Sequence, residues 1–534
     1  MRRRENLSLY HDERGAVAAT YAIALLALIG VAGVAFDYTR MATLDSELQN
    51  AADQAALGAV TQLDGTATAI ARATAQAGSL VRNTTVMSND GNPSLITVAS
   101  VIFYSTAANA ETDTAGFTAP GQSANARFVR VTLATRRAFY ALTPIVAAAA
   151  SGNMGARATA GIGSALCKVP PIMMCNPNEG GDPEFTGNYV GKGLALVSVG
   201  GGGGSWAPGN FGYLHTNSGE SNKILELKQA LGWDVPPGDC QPQSGVNTAT
   251  GANTPVTHAI NTRFDIYENG GPGGGACANG GTCTPSVNSV KDVVRTNGAS
   301  GNGSCGFGNN GWHLAGTNAD RYLPDPVTRL PVTTPKVMGH PRDVCHAVSS
   351  SGDCSPNAKI GDGNWDRATY FTVNYPGINW QGAMTTAYGT TNVTRFQVYK
   401  WEITNKNTVV PAMAATVGAN RIAYTTGGGG NPTQHLDHMA PVCSGNAGID
   451  PASGIDRRTF PIAVVNCTAG SVNGNSQNVP VKKWLNVFLV EPSLNRDRTG
   501  QQDVYVEVVS IQTPANNDGG ASAVVRRDKP YLIK

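Results

Sequence analysis

The segment Glu13–Val60 reads ERGAVAATYAIALLALIGVAGVAFDYTRMATLDSELQNAADQAALGAV, and it decides how this chain is organised. Residues 16–36 are mostly apolar and carry no charged side chain. At a rise of about 1.5 Å per residue, a helix over this run is roughly 31 Å long, which matches the hydrocarbon core of a bilayer. We therefore predict a transmembrane helix over residues 15–37.

The alternative interpretation of this run is a secretory signal peptide. Such peptides have an apolar centre of about 7–15 residues, followed by a small-residue cleavage site. The run here is longer, although the sequence Gly-Val-Ala at residues 33–35 offers a weak site of that kind. We expect the helix to be retained as an anchor.

Basic residues predict the orientation of this helix, because positively charged loops tend to stay in the cytoplasm. Arg2, Arg3, Arg4 and Arg14 precede the apolar run, and only Arg40 follows it closely. Residues 1–14 are therefore expected to form a cytoplasmic basic segment. The protein would cross the membrane once, with its bulk outside the cytoplasm.

After the apolar run, the pattern changes to that of an amphipathic helix. Apolar residues recur at steps of three and four, and polar residues occupy the other faces. No proline or glycine pair interrupts the pattern, so we predict one helix that continues as an amphipathic stem over residues 38–62. The predicted apolar face of the stem consists of Leu44, Leu48, Ala52, Ala55 and Ala59.

The stretch RGAVAATYAIALLALIGVAGVAFDYTRM, followed by LQNAADQAALGAV, resembles the N-terminal segment of the TadE/TadG-like proteins of the bacterial tight-adherence (Flp) pilus-assembly system. The Arg-Gly entry, the Asp-Tyr exit and the Ala-Ala-Asp-x-Ala-Ala helix, in this order, carry the resemblance. Among these proteins the chain looks most like the large, TadG-related kind. The resemblance implies a pilin-like helix, a place in the bacterial inner membrane with the bulk in the periplasm, and other pilus-assembly proteins as partners.

One position departs from the pattern of cleaved pilins. Pilins and pseudopilins that are cleaved after a glycine typically carry a glutamate at the fifth position of the mature chain. With Gly15 and Ala16 as the candidate processing site, that position is Thr20. Processing by a prepilin peptidase is therefore not expected.

Small residues in the apolar run are the candidates for packing against partner helices. Small side chains let helix backbones approach closely within a membrane. The candidates are Ala24, Ala27, Gly30 and Gly33.

The composition indicates an exported, loop-rich protein rather than a nucleic-acid binder. The formal net charge is only +2, and charged residues make up 14% of the chain, below the roughly 25% of typical globular proteins. Glycine is abundant, with 64 residues. Nucleic acid is therefore not predicted as a partner, and homo-oligomerisation is left open.

All ten cysteines follow the predicted membrane helix, and on this topology they face an oxidising compartment, where disulfides form. Spacing alone leaves many pairings open. Proximity favours five pairs: Cys167 with Cys175, Cys240 with Cys305, Cys277 with Cys283, Cys345 with Cys354, and Cys443 with Cys467.

The predicted fold class is α+β: a long N-terminal transmembrane and amphipathic helix, a small α+β domain at residues 63–166, and a large distal domain at residues 167–534. The distal domain is expected to be β-rich, loop-rich and stapled by disulfides. Its strand candidates, among them TRFQVYKWEI and RTFPIAVVNC, stand between clusters of glycine, asparagine and proline.

One acidic motif of the distal region has spacing that suits a calcium site. Asp362, Asn364 and Asp366 alternate in GDGNWDR, a spacing that can direct several oxygens at one Ca²⁺ ion. The remaining ligands of an EF-hand loop are missing, so we predict a turn.

Two clusters of histidine and cysteine contain residue types that bind zinc. His435 and His438 precede Cys443, and a second cluster contains His340, Cys345 and His346. Neither has a Cys-x-x-Cys or His-Glu-x-x-His frame, and oxidised cysteines do not bind zinc as thiolates.

From these observations we predict no metal site, no cofactor and no catalytic residue. The sequence predicts a non-enzymatic, membrane-anchored component of a tight-adherence pilus machine that contributes to surface attachment. The alternatives are a pseudopilin-like filament or tip subunit, and an exported adhesin, glycan-binding protein or enzyme on a generic anchor.

Overall fold

The structure is a computed structural model. It describes residues 13–64, 66–81, 85–91, 95–146, 151–167, 170–199, 210–216, 218–238, 241–242, 245–250, 254–268, 275–277, 281–296, 305–308, 311–354, 359–406, 422–424, 433–436, 439, 441–443, 448–496, 502–512 and 525–533.

The helices of these residues are α1 Glu13–Val60, α2 Ala69–Leu80, α3 Ala107–Thr112, α4 Lys223–Gly232, α5 Thr254–His258, α6 Val344–Val348, α7 Arg367–Asn374, α8 Trp380–Tyr388 and α9 Arg395–Thr404. The strands are β1 Val98–Tyr104, β2 Phe128–Leu133, β3 Arg136–Phe139, β4 Ser151–Met154, β5 Arg157–Cys167, β6 Met173–Cys175, β7 Gly193–Val199, β8 Asn210–Leu214, β9 Gln241–Pro242, β10 Gly245–Val246, β11 Thr248–Thr250, β12 Val293–Thr296, β13 Trp312–Leu314, β14 Ile422–Tyr424, β15 Thr433–Leu436, β16 Thr459–Val465, β17 Val479–Leu489, β18 Gln502–Gln512 and β19 Val525–Ile533. The α+β class is confirmed.

The chain divides into two compact units. The first contains residues 1–163 and 528–534, and the second contains residues 164–527. The final strand β19 belongs largely to the first unit, whereas the sequence analysis assigned all residues after 166 to the distal domain. Sequence patterns could not predict that β19 joins the sheet of the first unit, because the residues of a strand do not indicate which distant strand they pair with.

The first unit is built around helix α1. Its sheet has the order β1, β2, β5, β19, and β2 pairs antiparallel with both β1 and β5. The stem half of α1 packs on α2 and on one face of this sheet, where Ile70, Ala73, Phe103, Val129 and Val131 join the core. Small residues allow the two helices to approach closely. At Gly58 of α1, an added Cβ would lie 2.0 Å from Leu80 of α2.

The second unit has a central sheet in the order β6, β16, β17, β18, β7. Strand β16 is buried along its whole length, which requires cover on both faces of the sheet. On one face Leu227 of α4 and Val256 of α5 pack with sheet residues, and on the other face Tyr399 and Ile403 of α9 pack against Phe488.

The strand predicted in TRFQVYKWEI is wrong, because Arg395–Thr404 forms helix α9. Thr394 and Gln397 form a capping box, a signal of a helix N-terminus. The helix is buried on several sides, so its apolar pattern lacks the single stripe of a surface helix.

Candidate membrane anchor and assembly surface

Helix α1 consists of two halves that differ in burial. In the N-terminal half, Tyr21 is 74% exposed, Leu26 68% and Val31 71%, whereas Leu44 and Leu48 in the stem half are 0% exposed. A row of exposed apolar side chains on a soluble surface would be costly, since burial of a leucine is worth about 1.5–3 kcal/mol. The helix is long and apolar enough to cross a membrane. Its N-terminal half is therefore a candidate membrane anchor.

The predicted stem face lies inside the first unit. Its five residues contact α2 and the sheet, and each is 0% exposed: Leu44, Leu48, Ala52, Ala55 and Ala59. The periodic apolar pattern of the stem therefore serves intrachain packing rather than a surface open to partners.

The four small residues of the apolar run do not share one environment. Ala24 and Ala27 are exposed and Gly30 is half-buried. Gly33 is buried, and a Cβ added to it would lie 2.8 Å from the Cβ of Leu142. At about 100° per residue, Gly33 points half a turn away from Ala24. Packing against a partner helix stays a prediction for the first three, while Gly33 contacts its own chain.

A carboxylate at the end of the apolar run binds a distant loop. Asp37 accepts hydrogen bonds from the backbone N–H groups of Ala141 at 2.9 Å, Leu142 at 2.9 Å and Thr143 at 2.7 Å. The side chain of Asp37 is 2% exposed, so these bonds satisfy an otherwise costly buried charge. Sequence analysis noted the Asp-Tyr exit but assigned Asp37 no role, because its partners lie more than a hundred residues away.

The candidate processing site lies in the first turns of the same helix. Gly15 and Ala16 are helical, and the Thr20 hydroxyl donates to the carbonyl of Val17 at 2.8 Å. That the chain is not cut between Gly15 and Ala16 remains a prediction.

The disulfides of the second unit agree only in part with the pairs predicted from closeness in the sequence. Cys277 bonds to Cys283 and Cys345 to Cys354, as expected. The other three predicted pairs are wrong, because Cys175 bonds to Cys467 and Cys305 to Cys443. Strands β6 and β16 lie side by side and align Val465 with Cys175, which brings Cys467 within reach. Cys240 lies outside the described residues, and of Cys167 only the strand is described.

The motif at Asp362 is a turn followed by a helix cap, as predicted. Asp362 accepts the backbone N–H of Asn364 at 2.9 Å, and Asp366 accepts that of Thr369 at 3.0 Å at the start of α7.

Among the described residues, His340, Cys345 and His346 have other partners than a shared zinc ion would require. Cys345 and Cys354 lie near His346, but both sulfurs belong to one disulfide. His346 contacts the Tyr505 hydroxyl through Nδ1 at 2.8 Å, and His340 lies 3.4 Å from Glu402. His435 lies on β15, and His438 is outside the described residues.

A network of buried charges, which sequence analysis missed, occupies the second unit. Arg395 lies between Asp343 at 2.6 Å and Glu507 at 2.8 Å, and all three side chains are 0% exposed. Arg342 pairs with Asp503 and Glu491. Burial raises the pKa of Glu507, and the Arg395 guanidinium opposes this shift. Only folding reveals such pairs, because their members lie far apart in the chain.

A cavity of about 90 Å³ adjoins this network and is lined by Asp292, His340, Arg342 and Arg496 among others. Two of its cations are paired with carboxylates: Arg342 with Asp503 and Glu491, and Arg496 with Asp292 through two hydrogen bonds. Burial lowers the pKa of His340, although Glu402 opposes the shift. Within the described residues, the buried Nδ1 of His340 has no hydrogen-bond partner. The arrangement chiefly neutralises buried charge.

Comparison with known proteins bears on the N-terminal part of the chain. Neither the curated proteins nor the solved structures that were compared contain a match. One family does match, over the residues that form the apolar half of α1, its stem and most of α2. Residues 15–77 fit the family described as "Flp pilus-assembly TadE/G-like", and this confirms for that segment the resemblance read from the sequence.

Proposed function

We propose that this protein is a membrane-anchored, non-enzymatic component of a bacterial tight-adherence (Flp) pilus-assembly system that contributes to surface attachment. The observation that carries the proposal is the contrast within α1. Its apolar half is exposed while its stem half is locked into a folded unit, and the family match covers both halves.

In this proposal residues 1–14 stay in the cytoplasm, and the second unit and the part of the first unit that follows the apolar half of α1 lie in the periplasm. The basic residues before the helix support this orientation. The disulfides of the second unit also support it, because disulfides persist in oxidising compartments and not in the cytoplasm.

Partner proteins would bind the exposed face of the apolar half. Ala24, Ala27 and Gly30 present little side-chain bulk there, which lets another helix approach closely. Gly33 is not part of this face, because it contacts Leu142.

The first test is the state of the N-terminus in fractionated cells. We expect intact peptides covering residues 14–40 in the inner-membrane fraction. A mature chain that begins at Ala16 would instead indicate a pseudopilin, and one that begins near Phe36 would indicate a secreted protein. The first result would replace the proposed assembly component with a processed pseudopilin, and the second would overturn the proposed anchor.

The second test is the substitution Gly30→Leu, which should reduce co-purification with other pilus-assembly proteins and leave the folded units intact. Gly78→Leu is the matched control: Gly78 is also helical, and a Cβ there meets nothing within 4 Å. Equal co-purification of both variants would contradict the proposed partner face.

A further inference from the structure

The loop at residues 139–146, between strands β3 and β4, presents apolar side chains outward. Leu142 is 37% exposed and Phe139 is 41% exposed, and Pro144 is exposed as well. No charged residue occurs between Arg137 and Arg157. Exposed apolar side chains are ordinary when they are scattered singly, but here they lie next to the exposed apolar half of α1, which makes the loop a candidate for contact with the same apolar surroundings.

Three contacts hold this loop in place, two of them with helix α1. The Asp37 carboxylate accepts the backbone N–H groups of Ala141, Leu142 and Thr143. The Asn89 side chain accepts the N–H of Phe139 at 2.7 Å and donates to its carbonyl at 3.2 Å.

The third contact joins the Tyr140 hydroxyl to the sulfur of Met41 in α1 at 2.7 Å. Asp37 and Met41 are one helical turn apart, so the loop is tied to α1 at two successive levels. These contacts therefore fix the backbone of the loop, and with it the outward position of Leu142.

The depth of the loop follows from its contact with Gly33. Leu142 lies against Gly33, since a Cβ on that glycine would come within 2.8 Å of the Cβ of Leu142. Gly33 is inside the uncharged run and four residues before Asp37, which is about 6 Å along the helix axis. Leu142 is thus level with the apolar half of α1 and not with the stem.

We propose that loop 139–146 inserts into the membrane interface beside α1, as a second and shallower contact with the lipid. The inference rests on the proposed membrane anchor. Lipid is the occupant because Leu142, which contacts Gly33, extends the exposed apolar surface of the helix.

The Arg137 guanidinium lies 4.9 Å from the centre of the Phe139 ring, an arrangement that suits the headgroup level. Asp37 is the first charged residue after the apolar run, so Leu142 lies about 6 Å deeper than the charged end of that run, within the 5–10 Å typical of interfacial elements. The contact would set both the depth and the rotation of α1, and so the direction in which Ala24 and Ala27 face.

The test uses the full chain in phosphatidylcholine and phosphatidylglycerol vesicles, with a fluorophore on one introduced cysteine at a time. The variants are Leu142→Cys, Ala24→Cys in the apolar half, and Gly121→Cys, where a Cβ meets nothing within 4 Å. Unsubstituted protein measures background labelling. Quenchers are lipids with a nitroxide at a shallow or a deep position, and iodide in the water.

We expect shallow lipid quenching and shielding from iodide at residue 142, deep lipid quenching at residue 24, and iodide quenching alone at residue 121. If residue 142 behaves like residue 121 while residue 24 is quenched by lipid, the inference fails and the anchor stands. If residues 24 and 142 are both open to iodide, the anchor fails as well. Shielding of residue 142 from both quenchers would indicate a protein partner and overturn the lipid contact.

A second variant pair tests the role of the side chain. Leu142→Asn leaves the backbone N–H groups that bind Asp37 and should raise the iodide quenching of a probe at residue 139 several-fold. Leu95→Asn alters another exposed leucine of the same unit and should leave that quenching unchanged. Equal quenching in both variants would count against insertion.

Discussion

The carboxylate of Asp37 accepts the backbone N–H of Thr143 at 2.7 Å, although 106 residues separate the two in the chain. Asp37 is the first charged residue after the apolar run, and Thr143 lies in the loop beside that run. The bond therefore ties the boundary between anchor and stem to the folded part of the first unit.

Asp37→Asn should loosen this loop. The amide has one acceptor oxygen and no charge, so it cannot serve three N–H groups as the carboxylate does. We expect faster hydrogen exchange at the backbone amides of residues 141–143, with little change in α2. The exposed Asp45→Asn on the same helix is the control, and identical exchange in both variants would contradict the role of Asp37.

Leu48→Ala should destabilise the first unit by about 2–5 kcal/mol, because it leaves a cavity in the core that α1 forms with α2 and the sheet. Leu48 is 0% exposed, whereas Leu95 of the same unit is 52% exposed. Leu95→Ala should cost far less. Hydrogen exchange of the slowest amides in α2, measured on the full chain, gives the free energy of opening; similar values for both variants would show that the stem is not packed as described.

The two kinds of disulfide should differ in their contribution to stability. Cys175 and Cys467 are 292 residues apart, and Cys277 and Cys283 only 6. The entropy of loop closure predicts a loss of about 5–6 kcal/mol for the double alanine variant of the first pair and about 2 kcal/mol for the second. Urea unfolding of the oxidised protein measures this order, and non-reducing peptide mapping identifies the pairs. A larger loss of stability for the Cys277 and Cys283 variant than for the Cys175 and Cys467 variant would contradict the prediction.

Arg395→Met should destabilise the second unit by about 3–5 kcal/mol, since it leaves the buried carboxylates of Asp343 and Glu507 without their cation. The control is Lys482→Met, which removes the exposed ion pair with Glu184 at 2.7 Å. Exposed pairs contribute about 0–1 kcal/mol. Urea unfolding of both variants tests the difference, and a cost below 1 kcal/mol for Arg395→Met would mean that its charge is not essential.

Acid should weaken one turn of the second unit through Asp182. The backbone N–H groups of Thr186 and Gly187 bond to this carboxylate and lower its pKa to about 2, against burial, which acts to raise it. The unfolded value is about 3.9, so the stabilisation is complete above that pH and is lost as the pH falls toward 2. The stability advantage of the unsubstituted protein over Asp182→Asn should shrink between about pH 4 and pH 2. Parallel pH curves would contradict this.

The sequence by itself determined the local features of the chain. The uncharged run and the three- and four-residue repeat of Leu44, Leu48 and Ala52 predict α1, because helix period and bilayer thickness act on consecutive residues. Closeness in the chain also predicted two of the three short disulfide loops, those of Cys277 with Cys283 and of Cys345 with Cys354. The strand predicted at residues 394–403 failed because α9 is buried on several sides, so its pattern does not show one face.

Only the tertiary structure decided which distant groups meet. The partners of Asp37, the carboxylates around Arg395, the bond between Cys175 and Cys467, and the return of β19 to the first unit all join residues that no local pattern relates. Periodicity reports whether a residue is turned inward, whereas the identity of its neighbour depends on how sheets and helices pack. That is why the anchor could be predicted from the sequence, while the loop beside it could not.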